Sequence, residues 1–171
     1  MTSVDSSPFS ETADIETSSD AYARRFSGPS GEWLLSTQEN LTFDLIRKEP
    51  AKSVLDVGGG HGQLAIPLAK AGYSVTVLSS DESCSHRVQS LLANPTFKFV
   101  VGNVIELPFE DRAFDIAICF RLLTHSREWP RLIGELCRVS KRSVIVDYPT
   151  SQSLNIIAPS LFNVKKKLEH N

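Results

Sequence analysis

A glycine-rich turn that follows a short apolar stretch is the feature that most constrains the fold of this chain. Residues Ser53–Val57 carry β-branched and apolar side chains, which predict a short buried strand. Four glycines follow within residues 58–62, and an apolar run through Ala71 then indicates a helix. A strand, a glycine turn and a helix in this order are typical of the first unit of a nucleotide-binding α/β domain. Glycine suits the turn because the backbone bends sharply and a ligand approaches main-chain atoms that a Cβ would cover.

The spacing within this turn leaves three hypotheses open. Asp56 stands two residues before a row of alternating glycines, which are Gly58, Gly60 and Gly62. The same segment fits the dinucleotide pattern G-x-G-x-x-G/A over residues 60–65, and Asp81 follows 19 positions after the last glycine. The third hypothesis is a turn that only packs the helix on the strand.

Two further segments carry recognisable patterns. Residues 107–115 read L-P-F-E-D-R-A-F-D, in which Pro108 and Phe109 predict a rigid apolar loop. Residues 114–120 are nearly all apolar and predict a strand that is buried on both faces. Residues 135–139 read E-L-C-R-V at the end of a predicted helix. A dinucleotide-binding domain has no need of the 107–115 loop, so this loop weighs against that hypothesis.

Together these segments resemble the class I S-adenosylmethionine (SAM) methyltransferases of the ubiquinone/menaquinone type, the type 11 group. The glycine row resembles the first motif of that family, residues 107–115 its L-P-F-x-D-x-x-F-D segment, and residues 135–139 its E-L-x-R-V segment. The resemblance implies an α/β fold, a Rossmann-like parallel sheet in strand order 3-2-1-4-5 with helices on both faces. The family normally adds strands six and seven. Nothing in residues 149–171 predicts them, so we expect a domain shortened at its C-terminal end.

The remaining elements are predicted from the pattern of apolar residues and from the Gly, Pro and capping residues between them. Residues 1–19 are acidic and rich in Ser and Thr, and we expect them to form a disordered tail. Residues 20–50 predict a helical lead-in over the active site, with Asp20 as the cap of its first helix. Residues 51–171 form the SAM-binding domain. The other expected strands are 73–78, 97–101 and 144–147, and the other expected helices are 83–92, 129–139 and 161–168.

The resemblance also assigns cofactor-binding roles, with SAM as the cofactor. Asp56 would lie near the ammonium group, while the glycines would let the backbone approach the methionine and ribose. The family ends its second strand with an acid that binds the ribose, but this chain has Ser79 at that position. Either Ser79 or the nearby Asp81 would therefore bind the ribose. A helix cap is the alternative for Asp81. Asn103 with Val104 would serve the adenine, and a turn residue is the alternative for Asn103.

The fourth strand would deliver Phe120, Arg121, Leu122 and His125 to the carboxyl edge of the sheet, where open α/β folds bind ligands. A neutral His125 could accept a proton from the acceptor, and it is the candidate catalytic residue. A loop histidine that only packs or caps is the alternative.

Composition limits the partners. The 171 residues carry a formal net charge of −2, which gives no electrostatic argument for binding nucleic acid or a membrane surface. No apolar run approaches the roughly 18–20 residues of a membrane span, and the three widely spaced cysteines suggest neither a disulfide framework nor a metal site. The resemblance implies an enzyme that acts on a small molecule. The cysteine pattern favours a cytoplasmic location, and we expect the unpaired edge of strand five to favour self-association. A non-catalytic SAM-binding or interaction protein is the alternative, and a dinucleotide-binding oxidoreductase is a weaker one.

Overall fold

A five-stranded parallel sheet forms the centre of the computed structural model, which describes residues 8–148. The strands are β1 (Ser53–Val57), β2 (Ser74–Ser79), β3 (Phe97–Val101), β4 (Phe114–Cys119) and β5 (Ser140–Val146). Their spatial order is β3-β2-β1-β4-β5, and every neighbouring pair is parallel. This confirms the predicted order. The direction of winding reverses between β1 and β4, so the carboxyl ends of these two strands form the crevice in which such sheets bind ligands.

Within residues 8–148, five helices accompany the sheet. They are α1 (Ala13–Ser18), α2 (Asp20–Ala23), α3 (Pro29–Ile46), α4 (Ala65–Lys70) and α5 (Trp129–Val139). Short 3₁₀ turns occur at Arg24–Phe26, Gly59–His61, Glu82–Ser85 and Gln89–Leu91. Proline stands in the first turn of both α3 and α5, where its missing N–H costs no helical hydrogen bond.

The two faces of the sheet bury separate apolar clusters because side chains alternate along each strand. In β1, Val54 belongs to a cluster with Ile46 of α3 and Leu68 of α4. Its neighbour Leu55 belongs to the opposite cluster, which contains Leu132 and Leu136 of α5. Helices thus cover both faces, as the resemblance implied, and the carboxyl edge is left free for the loops.

The expectation of a disordered tail over residues 1–19 is wrong for residues 13–18, which form α1. Composition alone predicted disorder, but Asp14 and Thr17 of this helix are buried against the rest of the domain. The expected capping role of Asp20 is also wrong. Ser19 caps α2 instead, since its Oγ accepts a hydrogen bond from the Tyr22 N–H at 3.1 Å.

The predicted helix over residues 83–92 is replaced by two 3₁₀ turns, Glu82–Ser85 and Gln89–Leu91. The Asp81 carboxylate accepts a hydrogen bond from the Ser83 N–H, two residues further on, at 2.8 Å. Such local bonds compete with a regular helix, and the serines in this segment favour turns for the same reason.

Strand β5 begins four residues earlier than predicted and is the outer strand of the described sheet. Self-association through its edge stays a prediction. The helix expected at residues 161–168 lies outside the described residues. In the part of the chain from residue 8 to residue 148, no helix is long and apolar enough to cross a membrane.

Candidate functional site

The glycine turn between β1 and α4 uses its glycines for two different purposes. Gly58 and Gly62 adopt left-handed backbone conformations, with φ of 75° and 79°, which L-amino acids with side chains rarely adopt. Gly60 does not have a positive φ. A Cβ there would lie 2.5 Å from the Cys84 carbonyl oxygen and 2.6 Å from Ser18 Oγ. Gly60 is therefore required by close approach rather than by backbone conformation.

The carboxyl ends of the first three strands meet at this turn. The Gly58 N–H donates to the Leu78 carbonyl at 2.8 Å, and the Gly102 N–H donates to the Ser79 carbonyl at 2.9 Å. Ser79 is fully buried, and its Oγ has no hydrogen-bond partner within residues 8–148. The structure thus brings Asp56, the glycines and Ser79 to one place.

Helix α1 lies against this turn. Its Asp14 is fully buried, and the carboxylate accepts hydrogen bonds of 2.6 Å from both the N–H and the Oγ of Ser80. Burial raises the pKa of Asp14, although the bonds from Ser80 oppose the rise. A carboxylate therefore does sit at the end of β2, but it comes from a position 66 residues away in the chain. Sequence reasoning missed Asp14, because no local pattern marks this contact.

On the side of the glycine turn that faces Asp56, Gly58 and Phe120, the cavity has a volume of about 10 Å³. A second cavity, of about 640 Å³, lies on the side of His61 and Gly62. The first is the space beside Asp56. It has room for about one water molecule, whereas small-molecule sites usually occupy some 300–1,000 Å³. Since Ser18 and Asp14 approach Gly60 and Gly58, α1 fills space that a ligand at this turn would need.

Two buried ionisable side chains face the small cavity. Asp56 is 3% exposed, and burial raises its pKa to about 7 while the positive charge of Arg121 opposes the rise. Arg121 follows β4 in a left-handed conformation, with φ of 64°. Burial lowers the pKa of Arg121, opposed mainly by Asp147, and its Nη1 has no hydrogen-bond partner in the described part of the chain. Sequence analysis placed Arg121 at the carboxyl edge of the sheet but gave it no role.

Asp81 and Asn103 form local hydrogen bonds of the kind expected from the alternatives to cofactor binding, a helix cap for Asp81 and a turn residue for Asn103. The Asp81 carboxylate caps the turn at Glu82–Ser85, and the hydrogen bonds from Ser83 lower its pKa. Asn103 Oδ1 accepts a hydrogen bond from the Ile105 N–H at 3.1 Å. Val104 is buried in the core on the α5 side. The structure gives no separate observation in favour of cofactor roles for these residues, which stay predictions.

His125 is exposed in the loop after β4, and its ring meets the Tyr22 ring edge-on at 5.9 Å. Tyr22 in turn lines a cavity of about 340 Å³ at the carboxyl edge. The full lining is Tyr22, Phe26, Leu34, Gln38, Arg121, Thr124, Asp147 and Tyr148. His125 therefore lies beside a cavity large enough for a small organic molecule.

Several buried polar atoms in this region lack a hydrogen-bond partner within residues 8–148. They belong to Ser18, His61, Gln63, Ser79 and Arg121. Buried polar atoms are nearly always paired in folded proteins, so a concentration of unpaired ones fits a site for a polar ligand. No three His, Cys, Asp or Glu side chains in the described region converge in a way that could hold a metal ion.

The L-P-F and E-L-C-R-V segments bind each other. Arg138 donates through Nη1 to the Phe109 carbonyl at 2.7 Å and through Nη2 to the Leu107 carbonyl at 2.9 Å. Glu135 completes the contact, since its Oε2 accepts hydrogen bonds from the Leu107 N–H at 2.7 Å and from Arg138 Nη2 at 2.8 Å. The two motifs thus form one anchor for the loop that follows β3.

Comparison with known proteins agrees with this geometry. A methyltransferase domain family model matches residues 55–146, more than half of the chain. The 2-phytyl-1,4-naphtoquinone methyltransferase of Trichormus variabilis is 31% identical over 131 residues, which are 68% of this chain and 57% of that protein. A ubiquinone/menaquinone biosynthesis C-methyltransferase of Rhizobium etli is 34% identical over 106 residues, 56% of this chain and 40% of that protein. The chain thus spans about half the length of these curated relatives.

A solved structure shows the same fold. The magnesium protoporphyrin IX methyltransferase of Synechocystis, crystallised with bound S-adenosylhomocysteine (SAH), superposes with a TM-score of 0.68 at 21% identity, over 89% of this chain and 77% of that one. The matched family segment runs from β1 through β5 and contains the glycine turn, the L-P-F loop and its Glu135–Arg138 anchor. The chain therefore belongs to the type 11 methyltransferase domain family.

Proposed function

We propose that this chain is the cofactor-binding part of a SAM-dependent methyltransferase that acts on a small-molecule acceptor. The observation that carries the proposal is the glycine turn, in which two left-handed glycines and the closely approached Gly60 stand beside unpaired buried polar atoms in a member of this family. The acceptor atom would form a bond to the methyl carbon as the methyl–sulfur bond breaks, leaving SAH. Since the sulfonium already activates the methyl group, the protein contributes mainly by holding the two reactants in line.

The residues present fit this cofactor. Asp56 offers a buried carboxylate for the ammonium group, and Ser79 offers an unpaired hydroxyl at the end of β2 for the ribose. Asn103 and Val104 follow β3 on the side proposed for the adenine. Phe120 lines the small cavity beside the glycine turn. Helix α1 must withdraw from the turn for the cofactor to enter.

We place the acceptor in the 340 Å³ cavity at the carboxyl edge. Its walls include the rings of Tyr22, Phe26 and Tyr148, which suit a planar apolar molecule. The names of the relatives point to quinones, so a reduced naphthoquinone or benzoquinone is the first acceptor class to test. His125 would accept the proton of a hydroxyl group on such an acceptor. We include a cytoplasmic location in the proposal, supported by the free thiols of Cys84, Cys119 and Cys137.

The test is the formation of SAH. Protein, SAM and a panel of reduced quinones are incubated together, and SAH and the methylated product are quantified by liquid chromatography. Acceptor-dependent SAH that matches the methylated product is expected. Reactions without acceptor measure the background. SAM binding without SAH formation from any acceptor would favour the non-catalytic alternative.

A further inference from the structure

Two buried groups of opposite charge line the small cavity beside the glycine turn without pairing with each other. Asp56 lies in β1, and Arg121 is the second residue after the neighbouring β4, whose Ile118 is the register partner of Asp56. Both residues line the 10 Å³ cavity together with Gly58 and Gly59. Within residues 8–148, neither side chain forms an ion pair at 4.0 Å or less.

The Asp56 carboxylate is fixed in place by packing. A Cβ at Gly59 would lie 2.2 Å from Asp56 Oδ2, so the absence of a side chain at that glycine makes room for the carboxylate. Burying a charge without a partner is costly, and proteins normally pair such groups. The position therefore suits a group that becomes paired when a cationic ligand arrives.

The side chain of Arg121 does not form an ion pair with Asp147, because the Asp147 carboxylate binds other groups. Asp147 is the acid with the largest electrostatic effect on Arg121, but Asp147 Oδ1 accepts a hydrogen bond from the backbone N–H of Arg121, and Oδ2 accepts one from Gln38 Nε2 at 3.0 Å. The guanidinium group instead lies over the Phe26 ring, 5.1 Å from its centroid. Its buried Nη1 has no hydrogen-bond partner in the described part of the chain.

The backbone of Arg121 adds a second observation. A φ of 64° is unfavourable for any residue with a side chain, and such outliers tend to persist where the side chain has a task. Glycine would adopt this conformation freely, yet an arginine stands here.

We propose that Asp56 and Arg121 together form a site for an amino-acid zwitterion, in which Arg121 binds the carboxylate of the methionine part of SAM and Asp56 its ammonium group. This inference rests on the proposed function. The carboxylate and ammonium of an amino acid are attached to the same carbon, so their site needs an anion and a cation that converge on one small space. An arginine matches a carboxylate with two parallel N–H donors.

The acceptor cavity offers a competing role, because Arg121 also lines that larger space and could bind an anionic oxygen of the acceptor. The carboxylate of Asp147 lies in the same cavity and would repel such an anion. Of these two cavities, Asp56 lines only the small one beside the glycine turn. The pair of opposite charges therefore favours the cofactor.

The test compares SAH with its decarboxylated analogue, which keeps the adenosine, sulfur and amine but lacks the carboxylate. Dissociation constants for both ligands are measured by calorimetry on the wild type, on Arg121→Gln and on Arg127→Gln. Arg127 is an exposed arginine of the same loop and serves as the matched control. We expect Arg121→Gln to weaken SAH binding by about 10–100-fold, the scale of a charge-assisted hydrogen bond, and to change binding of the analogue less than about threefold. Arg127→Gln should change neither.

Other outcomes would overturn the inference. An equal loss for both ligands would mean that Arg121 only supports the structure. Unchanged SAH affinity with a raised KM for the acceptor would assign Arg121 to the acceptor. Arg121→Gly, which relieves the left-handed backbone, repeats the test in a variant whose folding is not at risk from strain. If the wild type binds neither ligand, the proposed function fails and takes this inference with it, whereas wild-type SAH binding with an intact carboxylate preference in Arg121→Gln refutes the inference alone.

Discussion

At the scale of single residues, Gly60 is held by contact rather than by conformation. A Cβ would lie within 2.5–2.9 Å of the Cys84 carbonyl oxygen, Ser18 Oγ and the Cys84 Cβ. We expect Gly60→Ala to lower the free energy of unfolding by about 1–3 kcal/mol, the usual cost of overpacking, and to weaken SAM binding. Urea denaturation and calorimetry on the same preparation measure the two effects.

The chain offers a matched control in Gly134, where a Cβ meets no atom within 4 Å in the middle of α5. Gly134→Ala should stabilise the protein by up to about 1 kcal/mol, because alanine is the better helix former. If Gly60→Ala were as stable as the wild type and bound SAM equally well, the close approach at the turn would be irrelevant to the ligand.

The raised pKa of Asp56 makes the stability of the protein decrease as pH rises. Burial raises its pKa from 3.8 to about 7, so the folded state binds the proton more tightly than the unfolded state. The free energy of unfolding therefore decreases as pH rises from about 4 through 7. Above pH 7 Asp56 is ionised in the folded state, and the full loss of unfolding free energy is present. Asp56→Asn removes the charge. Its gain in unfolding free energy over the wild type should be larger at pH 8 than at pH 5 by roughly 2–3 kcal/mol.

Urea denaturation at the two pH values measures this difference. Asp44→Asn, at an exposed position of α3, is the control and should change stability by no more than about 0.5 kcal/mol at either pH. A constant effect of Asp56→Asn across this range would show that Asp56 does not carry a raised pKa in the ligand-free protein.

At the scale of elements, the L-P-F loop depends on α5. The bonds from Arg138 to the Leu107 and Phe109 carbonyls satisfy acceptors that would otherwise be unpaired. Its ion pairs with Glu135 and Asp111 hold the pKa of Arg138 above its usual value. Arg138→Ala should cost about 2–3 kcal/mol of unfolding free energy.

Arg131 of the same helix provides the comparison, since its ion pair with Glu106 at 2.9 Å is exposed at both ends. Arg131→Ala should cost less than about 1 kcal/mol. Equal losses in the two variants would mean that the loop gains nothing from Arg138 beyond a surface charge.

Helix α1 occupies space at the glycine turn, so it must move when SAH binds there. The hydrogen bonds from Ser80 to Asp14 would then break. We expect amide hydrogen exchange in residues 15–19 to become faster at saturating SAH, against the general slowing that a ligand produces. Exchange in α5 serves as the internal reference. Unchanged or slower exchange in α1 would mean that the cofactor fits without displacing it.

At the scale of the whole molecule, the sheet was predictable and the contacts across it were not. The strands themselves followed from local apolar runs, whose causes lie within a few residues, and the order β3-β2-β1-β4-β5 followed from the resemblance to the methyltransferase family. Asp14 was not predictable, because its partner Ser80 is 66 residues distant and an acidic, serine-rich composition suggested disorder. Strand β5 was placed four residues late because Lys141 and Arg142 suggested a turn, although both are exposed side chains of an outer strand.

The same distinction applies to the site. Asp56, the glycines and Ser79 were identified because a sequence pattern places them at the ends of strands. The structure brings them together there. Arg121 was expected at the carboxyl edge, but no role was predicted for it. Its burial and its position beside Asp56 in the small cavity arise only from the packing of β4 between β1 and β5.

The central claim is that this glycine turn binds SAM and not a dinucleotide, and one calorimetric comparison tests it most directly. SAM and NAD are titrated into the same preparation of the full chain, and thermal unfolding is then followed with each. SAM is predicted to bind at one site and, at about 100 times its dissociation constant, to stabilise the fold by about 2.7 kcal/mol, while NAD gives no binding heat and no shift. Binding of NAD without binding of SAM would contradict the account.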